Sequence, residues 1–201
     1  MTSASAIRVA PSASECALLI VDMQVGAIGS IRTIEPNRLR DNMIALATVA
    51  NLHRLPAVLT AGRKPGVGGV FMPETCALLP DAAFVARSRA AAFDDPALRD
   101  AVAALGRKTL IVAGIATDIG VAFAALGALN AGYEVWLVVD ACGAVDAEAE
   151  VAAKARMARE GVVMTGWASL AVGLMADFES PLGPPTMALI SSRMPAGAGP
   201  F

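Results

Sequence analysis

The residues in this chain that could do chemistry stand at the ends of apolar runs. "CALLIVDMQ" is a short continuous apolar run that closes on Asp22 and Gln24, the pattern of a strand buried on both faces. A carboxylate in that position is expensive to bury without a partner, and beside apolar walls it is suited to giving or taking a proton. "GIATDIGVAF", Gly114 to Phe123, reads as the turn from a second buried strand into a helix. Free N–H groups and the helix dipole at such a turn favour developing negative charge. Its polar residues are Thr117 and Asp118, and Gly120 stands where a reactive side chain would be presented. Covalent thiol catalysis is therefore excluded at that position. Gly120 is either a helix glycine costing about 1 kcal/mol relative to alanine, or the space through which a substrate approaches the helix N-terminus.

Other nucleophiles lack helpers. Cys16, Cys76 and Cys142 are an odd number with no paired spacing, which fits a reduced, cytoplasmic setting. Cys142 reads as a small buried packing residue. Thr117 and Ser88 would need a base to deprotonate them. The single histidine, His53, lies near the end of the first long helix; one histidine argues against a Ser-His-Asp triad and against a histidine zinc cluster. No metal and no cofactor are expected.

The elements that must position these residues alternate. After the first strand, "EPNRLRDNMIALATVANLHRL" places Leu39, Met43, Leu46, Ala47 and Ala50 at helical spacing behind Pro36. "PAVLTA" is the next strand, "GRKPGVGGVFMPE" a long surface loop, "AAFVAR" a short strand and "DDPALRDAVAALG" a helix. "KTLIVAGIA" is the clearest strand, followed by a helix over "TDIGVAFAALGALNAG", capped by Thr117 or Asp118 and stopped by Gly132. "YEVWLVVDAC", "DAEAEVAAKARMAREG" and "VVMTG" continue as strand, helix and strand. Such alternation predicts an α/β fold, a three-layer α-β-α doubly wound parallel sheet. It forms one domain over residues 1–201, with a core from about 14 to 178. Residues 179–201, rich in Pro and Gly, are read as a tail, loose or packed on a neighbouring subunit. Open parallel sheets carry their sites at the carboxyl ends of the strands. That rule gathers Asp22, Gln24, Thr60 to Arg63, Arg87, Gly114 to Gly120 and Asp140.

Composition bounds the partners. Hydrophobic residues are 56% and charged residues 17% of the chain, a surplus that reflects either large subunit interfaces or simply abundant alanine. Net charge is −2 with no basic run, so nucleic acid is not expected as a partner. No apolar run reaches the roughly 18 residues needed to cross a bilayer, and "MTSASAIRVAPSASE" lacks the charged start and apolar centre of a signal peptide.

The segments "LLIVDMQ", "FVARSRAAAFDDPALRDAV", "LIVAGIATDIGVAFAALGALNAGYEVWLVVDACGA" and "VVMTGWASL" resemble the isochorismatase-like hydrolase superfamily, over about Ala17 to Asp177. The middle region is most similar to the branch with Arg in place of the usual Lys. The resemblance implies a triad of Asp, a basic residue and Cys. Here these positions fall on Asp22, on Arg87 with Arg89 as a rival, and on Gly120. It also implies a non-proline cis peptide at Ile115–Ala116 and a homo-oligomer. Gln24, Arg89, Phe93, Ile115, Ala116 and Thr117 are the implied substrate contacts, with Met23 as a further wall. Nicotinamidase relatives bind zinc after the second strand; "TAGRKPGVGG" supplies none of those ligands.

Two classes of function follow. One is a hydrolase acting without a thiol, with Asp22 as general acid/base on a small vinyl ether or carboxylate-bearing substrate. True isochorismatases, which also carry Gly at this turn, are the precedent. This chain departs from them in reading "GIATDIG" and "RSRAAAF" where they have a histidine-containing turn and a lysine-containing stretch. The other is a pseudoenzyme with a binding or structural role. Lyase or isomerase chemistry on a natural-product intermediate is a third reading.

Overall fold

Strand β1 (Cys16–Val21) is buried at every residue, as its unbroken apolar run requires. The structure, a computed structural model, describes residues 9–62 and 68–193. On one side β1 pairs with β2 (Ala57–Gly62), which pairs with β3 (Ala83–Arg87). On its other side it pairs with β4 (Thr109–Ile115), then β5 (Glu134–Gly143) and β6 (Val163–Thr165). All neighbours are parallel, in the six-stranded order β3-β2-β1-β4-β5-β6. The chain reverses its winding between β1 and β4, so a crevice is expected beyond their carboxyl ends.

Helices cover both faces. Short α1 (Val25–Ile28) follows β1, and α2 (Pro36–Leu52) connects to β2. The first turn of α2 has Pro36 where a missing N–H costs nothing, and the Glu35 carboxylate accepts from Arg38 N–H at 2.8 Å. Leu39, Met43, Leu46, Ala47 and Ala50 are all buried, as their spacing predicts. Around α2 gather α3 (Pro73–Leu78), α7 (Trp167–Met175) and α8 (Gly183–Ser192). The opposite face holds α4 (Pro96–Ala104), α5 (Ala122–Asn130) and α6 (Ala147–Glu160). Asp95 and Asp146 cap α4 and α6 through their carboxylates.

Three expectations change. Residues 183–192, read as part of a tail, form α8, which packs on α7 and α2 with Thr186 and Ile190 buried. Its prolines fall in the first turn, where they do not interrupt helical hydrogen bonding. The helix expected from Thr117 begins instead as a π-turn over Thr117–Val121, with Ala116 O accepting from both Ile119 N–H and Val121 N–H at 3.1 Å. Neither Thr117 nor Asp118 caps it; no side chain does. The Pro/Gly-rich stretch after β2 leads into α3, which sequence reading missed, and Arg63 lies outside the described residues.

Close backbone approach governs β4. Gly114 has φ +132°, and a Cβ there would stand 1.9 Å from Val21 O on the neighbouring strand. Only glycine fits. Opposite it the β5 register shifts between Val112 and Gly114, and pairing resumes with Gly114 opposite Cys142 and Ile115 opposite Gly143, up to the Ile115–Ala116 turn.

Candidate active site

Asp22 is the first residue beyond β1, and its φ of +52° is unusual for a side-chain-bearing residue. Its N–H donates to Thr60 O at 2.8 Å, anchoring the turn to the end of β2. That conformation aims the carboxylate across the strand ends. Oδ1 accepts from Gly62 N–H at 2.9 Å and from Arg87 Nη1 at 2.9 Å. Oδ2 accepts from Arg87 Nη2 in a very short contact. The fork geometry of arginine makes this a two-bond clamp.

Arg87 can reach because it is the last residue of β3, level with Gly62 in the β2–β3 register. Its side chain is only 4% exposed, against 21% for Asp22. Its Nη1 also lies 3.5 Å from Thr60 Oγ1, a hydroxyl that itself donates to Val85 O. Arg89 is exposed, and the carboxylate's partner is Arg87.

Gly120 is buried on the π-turn, on the far side of the carboxylate. A Cβ at this position would stand 2.5 Å from Asp22 Oδ2 and 3.3 Å from Ile115 O. The corner that lacks a side chain is thus partly taken up by Asp22 itself. Beside it opens a cavity of about 210 Å³. Asp22, Arg87 and Gly120 form one side of it, and Ile115 and Ala116, joined by a cis peptide, another. Ala27, Ser30 and Ile31 close it from the α1 region, and Ala90, Ile119 and Val145 complete the wall.

Several expected contacts fall elsewhere. Phe93 is 6% exposed and packs near Tyr133, ring centres 6.0 Å apart, and against Gly127. Met23 is wholly buried in the core. Gln24 holds the loop after β2, its Nε2 donating to Gly69 O at 2.9 Å. Thr117 is fully buried and donates to Glu150 Oε1 at 2.8 Å, so its hydroxyl ties the turn to α6. Asp140 Oδ1 accepts from Trp167 N–H at 2.9 Å and serves the start of α7. None of these five lines the cavity. Conversely, sequence reading missed Ser30, whose hydroxyl donates to Ala27 O at 2.7 Å.

The cysteines stand apart. Cys142 is buried, with its thiol pushed up to about 12 by that burial. Cys16 is buried and Cys76 exposed, and no cysteine is among the described residues lining the cavity. Among the described residues no three of His, Cys, Asp or Glu gather as a metal ion would require. What the site offers is a carboxylate held by three donors, beside an apolar hollow.

An isochorismatase domain matches residues 16–169. The chain belongs to the isochorismatase family. Within that family it is 34% identical over 168 residues to the probable hydrolase YcaC of Escherichia coli K12, across 83% of this chain and 81% of the relative. The crystal structure of E. coli YcaC, described as an octameric hydrolase of unknown specificity, superposes with a TM-score of 0.85 at 33% identity, covering 94% and 98% of the two chains. YcaC from Pseudomonas aeruginosa, with hexane-2,5-diol and covalent acrylamide, reaches a TM-score of 0.90 at 33% identity, covering 96% and 95%. The isochorismatase-like architecture is therefore shared over nearly the whole chain.

Proposed function

We propose that this family member hydrolyses a small molecule without a thiol nucleophile, with Asp22 as its general acid/base. The observation that carries the reading is one cavity on which the Asp22 carboxylate, its Arg87 clamp and Gly120 meet. The described hydrogen bonds to the Asp22 carboxylate are all donated to it, and its oxygens are the acceptors to which a proton from water can pass. Water attacks an electrophilic carbon of the substrate, and its proton passes to Asp22. The same proton then moves to the leaving group as its bond to that carbon breaks. Arg87 stays charged and exchanges no proton. It holds the carboxylate in place. The YcaC relatives support the hydrolase class, and one of them is described with small organic molecules bound. We also propose that the chain assembles with copies of itself, as the octameric E. coli relative does.

The test is a panel of small esters, amides and vinyl ethers. Asp22→Asn abolishes turnover, and Gly120→Cys does not raise it. Near-wild-type turnover by the Asn variant removes Asp22 from the mechanism. A second reading, a binding protein that has given up catalysis, is favoured by the carboxylate's occupation of the corner at Gly120. It predicts saturable binding with no turnover across the panel.

A further inference from the structure

The charges on the cavity cancel each other. Both terminal nitrogens of Arg87 face Asp22, and the arginine side chain is 4% exposed, so little of the guanidinium is left for a substrate carboxylate. Asp22 in turn has three donors on its two oxygens among the described residues. The rest of the described wall is uncharged, with Ile31, Ile115, Ile119 and Val145 as its large members. Ser30 has already committed its proton to Ala27 O. The described charged residues close in sequence to the wall do not join it. Arg32 Nη1 donates to the carbonyls of Gly29 and Ile31, Arg89 is exposed, and Asp118 is half-buried outside the lining.

An ion entering such a space loses its hydration and finds no free counter-charge among the described residues, whereas an amide or ester loses far less. The volume, about 210 Å³, lies below the roughly 300–1,000 Å³ of drug-sized ligand sites. We infer that this cavity selects small uncharged substrates, a short-chain amide or ester, and rejects the matching carboxylate and ammonium ions. The inference deepens the proposed hydrolase and rests on it for the reaction, though not for the binding.

The experiment titrates isotope-labelled protein with isobutyramide, isobutyrate and isobutylamine, following the amide resonances of Ile115, Ile119 and Gly120. Isobutyramide should move these resonances and bind at least about tenfold more tightly than either ion. Isobutyrate or isobutylamine binding as well as the amide overturns the inference, and so does an amide that moves none of the three resonances. A second arm uses Asp22→Asn, which uncovers Arg87. There isobutyrate should overtake isobutyramide, and a folded variant that keeps the wild-type preference refutes charge cancellation as the cause. Where that variant does not fold, the wild-type series decides alone. Failure of the two ideas separates cleanly. Selective amide binding without turnover on the panel removes the hydrolase and leaves the selection. Asp22-dependent turnover of an anionic substrate does the reverse.

Discussion

A Cβ added at Gly120 would meet Asp22 Oδ2 at 2.5 Å, so the ion pair in its present form needs glycine there. Alanine at this position should push the carboxylate off its clamp. Overpacking of this kind costs about 1–3 kcal/mol, measurable by urea unfolding of Gly120→Ala. A crystal structure of that variant with the two-bond pair intact, at unchanged stability, would contradict the coupling. Asp22→Asn acts from the other side, by stranding a buried guanidinium. Breaking one partner of a buried pair costs about 3–5 kcal/mol, and the lower end applies because Asp22 is 21% exposed. Adding Arg87→Met to the Asn variant should recover part of that loss; a double variant less stable than the single one would show that Arg87 is held by something other than Asp22. Asp22 and Gly120 were legible from sequence because each sits just past an apolar run. The choice between Arg87 and Arg89 was not. It depends on where β3 ends and on the pairing of Arg87 with Gly62, and register between strands far apart in sequence leaves no local trace.

The alternating elements were legible for the same reason that the sheet is stable. Strands buried on both faces are continuous apolar runs, and helices carry their caps and periodicity locally. What escaped was what tertiary contacts decide. Pro184 and Pro185 suggested a tail, yet α8 accommodates them in its first turn. Thr117 looked like a cap, yet its hydroxyl is drawn to Glu150, which is 8% exposed and also pairs with Lys154 at 3.1 Å. That bond fastens the π-turn bearing Gly120 to α6. Thr117→Val should therefore cost about 1–3 kcal/mol, the penalty of depriving a buried polar group, while Thr117→Ser keeps most of the stability. Equal losses in the two variants would assign the effect to packing. Asp140 ties β5 to α7, and burial raises its carboxyl above the ordinary 3.8, against the Trp167 N–H and the charge of Arg38. A raised carboxyl contributes stability that is fully present below the unfolded value and is lost as pH rises through the folded one. Asp140→Asn retains a carbonyl for Trp167 and never ionises. Its melting temperature should gain on wild type as pH climbs from below 3.8 to neutrality; a constant difference would mean that Asp140 does not carry this dependence.

At the scale of the molecule, the apolar surplus in the composition is not all spent on the core. Phe84 is 54% exposed on β3 at the sheet edge, stacked edge-on against Phe71 with ring centres 5.7 Å apart. Phe178 is 63% exposed between α7 and α8. Near the site, Ile119 and Val145 stand 56% and 59% exposed on the cavity wall, with Phe123 one helical turn beyond Ile119. Single exposed apolar residues are ordinary, but large ones set around a functional cavity, along an edge strand and between two helices are what subunit contacts cover. Sequence could count the surplus without locating it, since exposure depends on which face of each element the sheet and its helices leave open. The expected outcome is an oligomer at micromolar concentration by sedimentation equilibrium. Charged substitutions should sort these surfaces, with Phe178→Glu or Phe84→Lys lowering the mass if its surface is an interface. A monomeric wild type would return the surplus to its simpler explanation, an alanine-rich chain. It would also leave Ile119 and Val145 as the open rim through which an uncharged substrate enters.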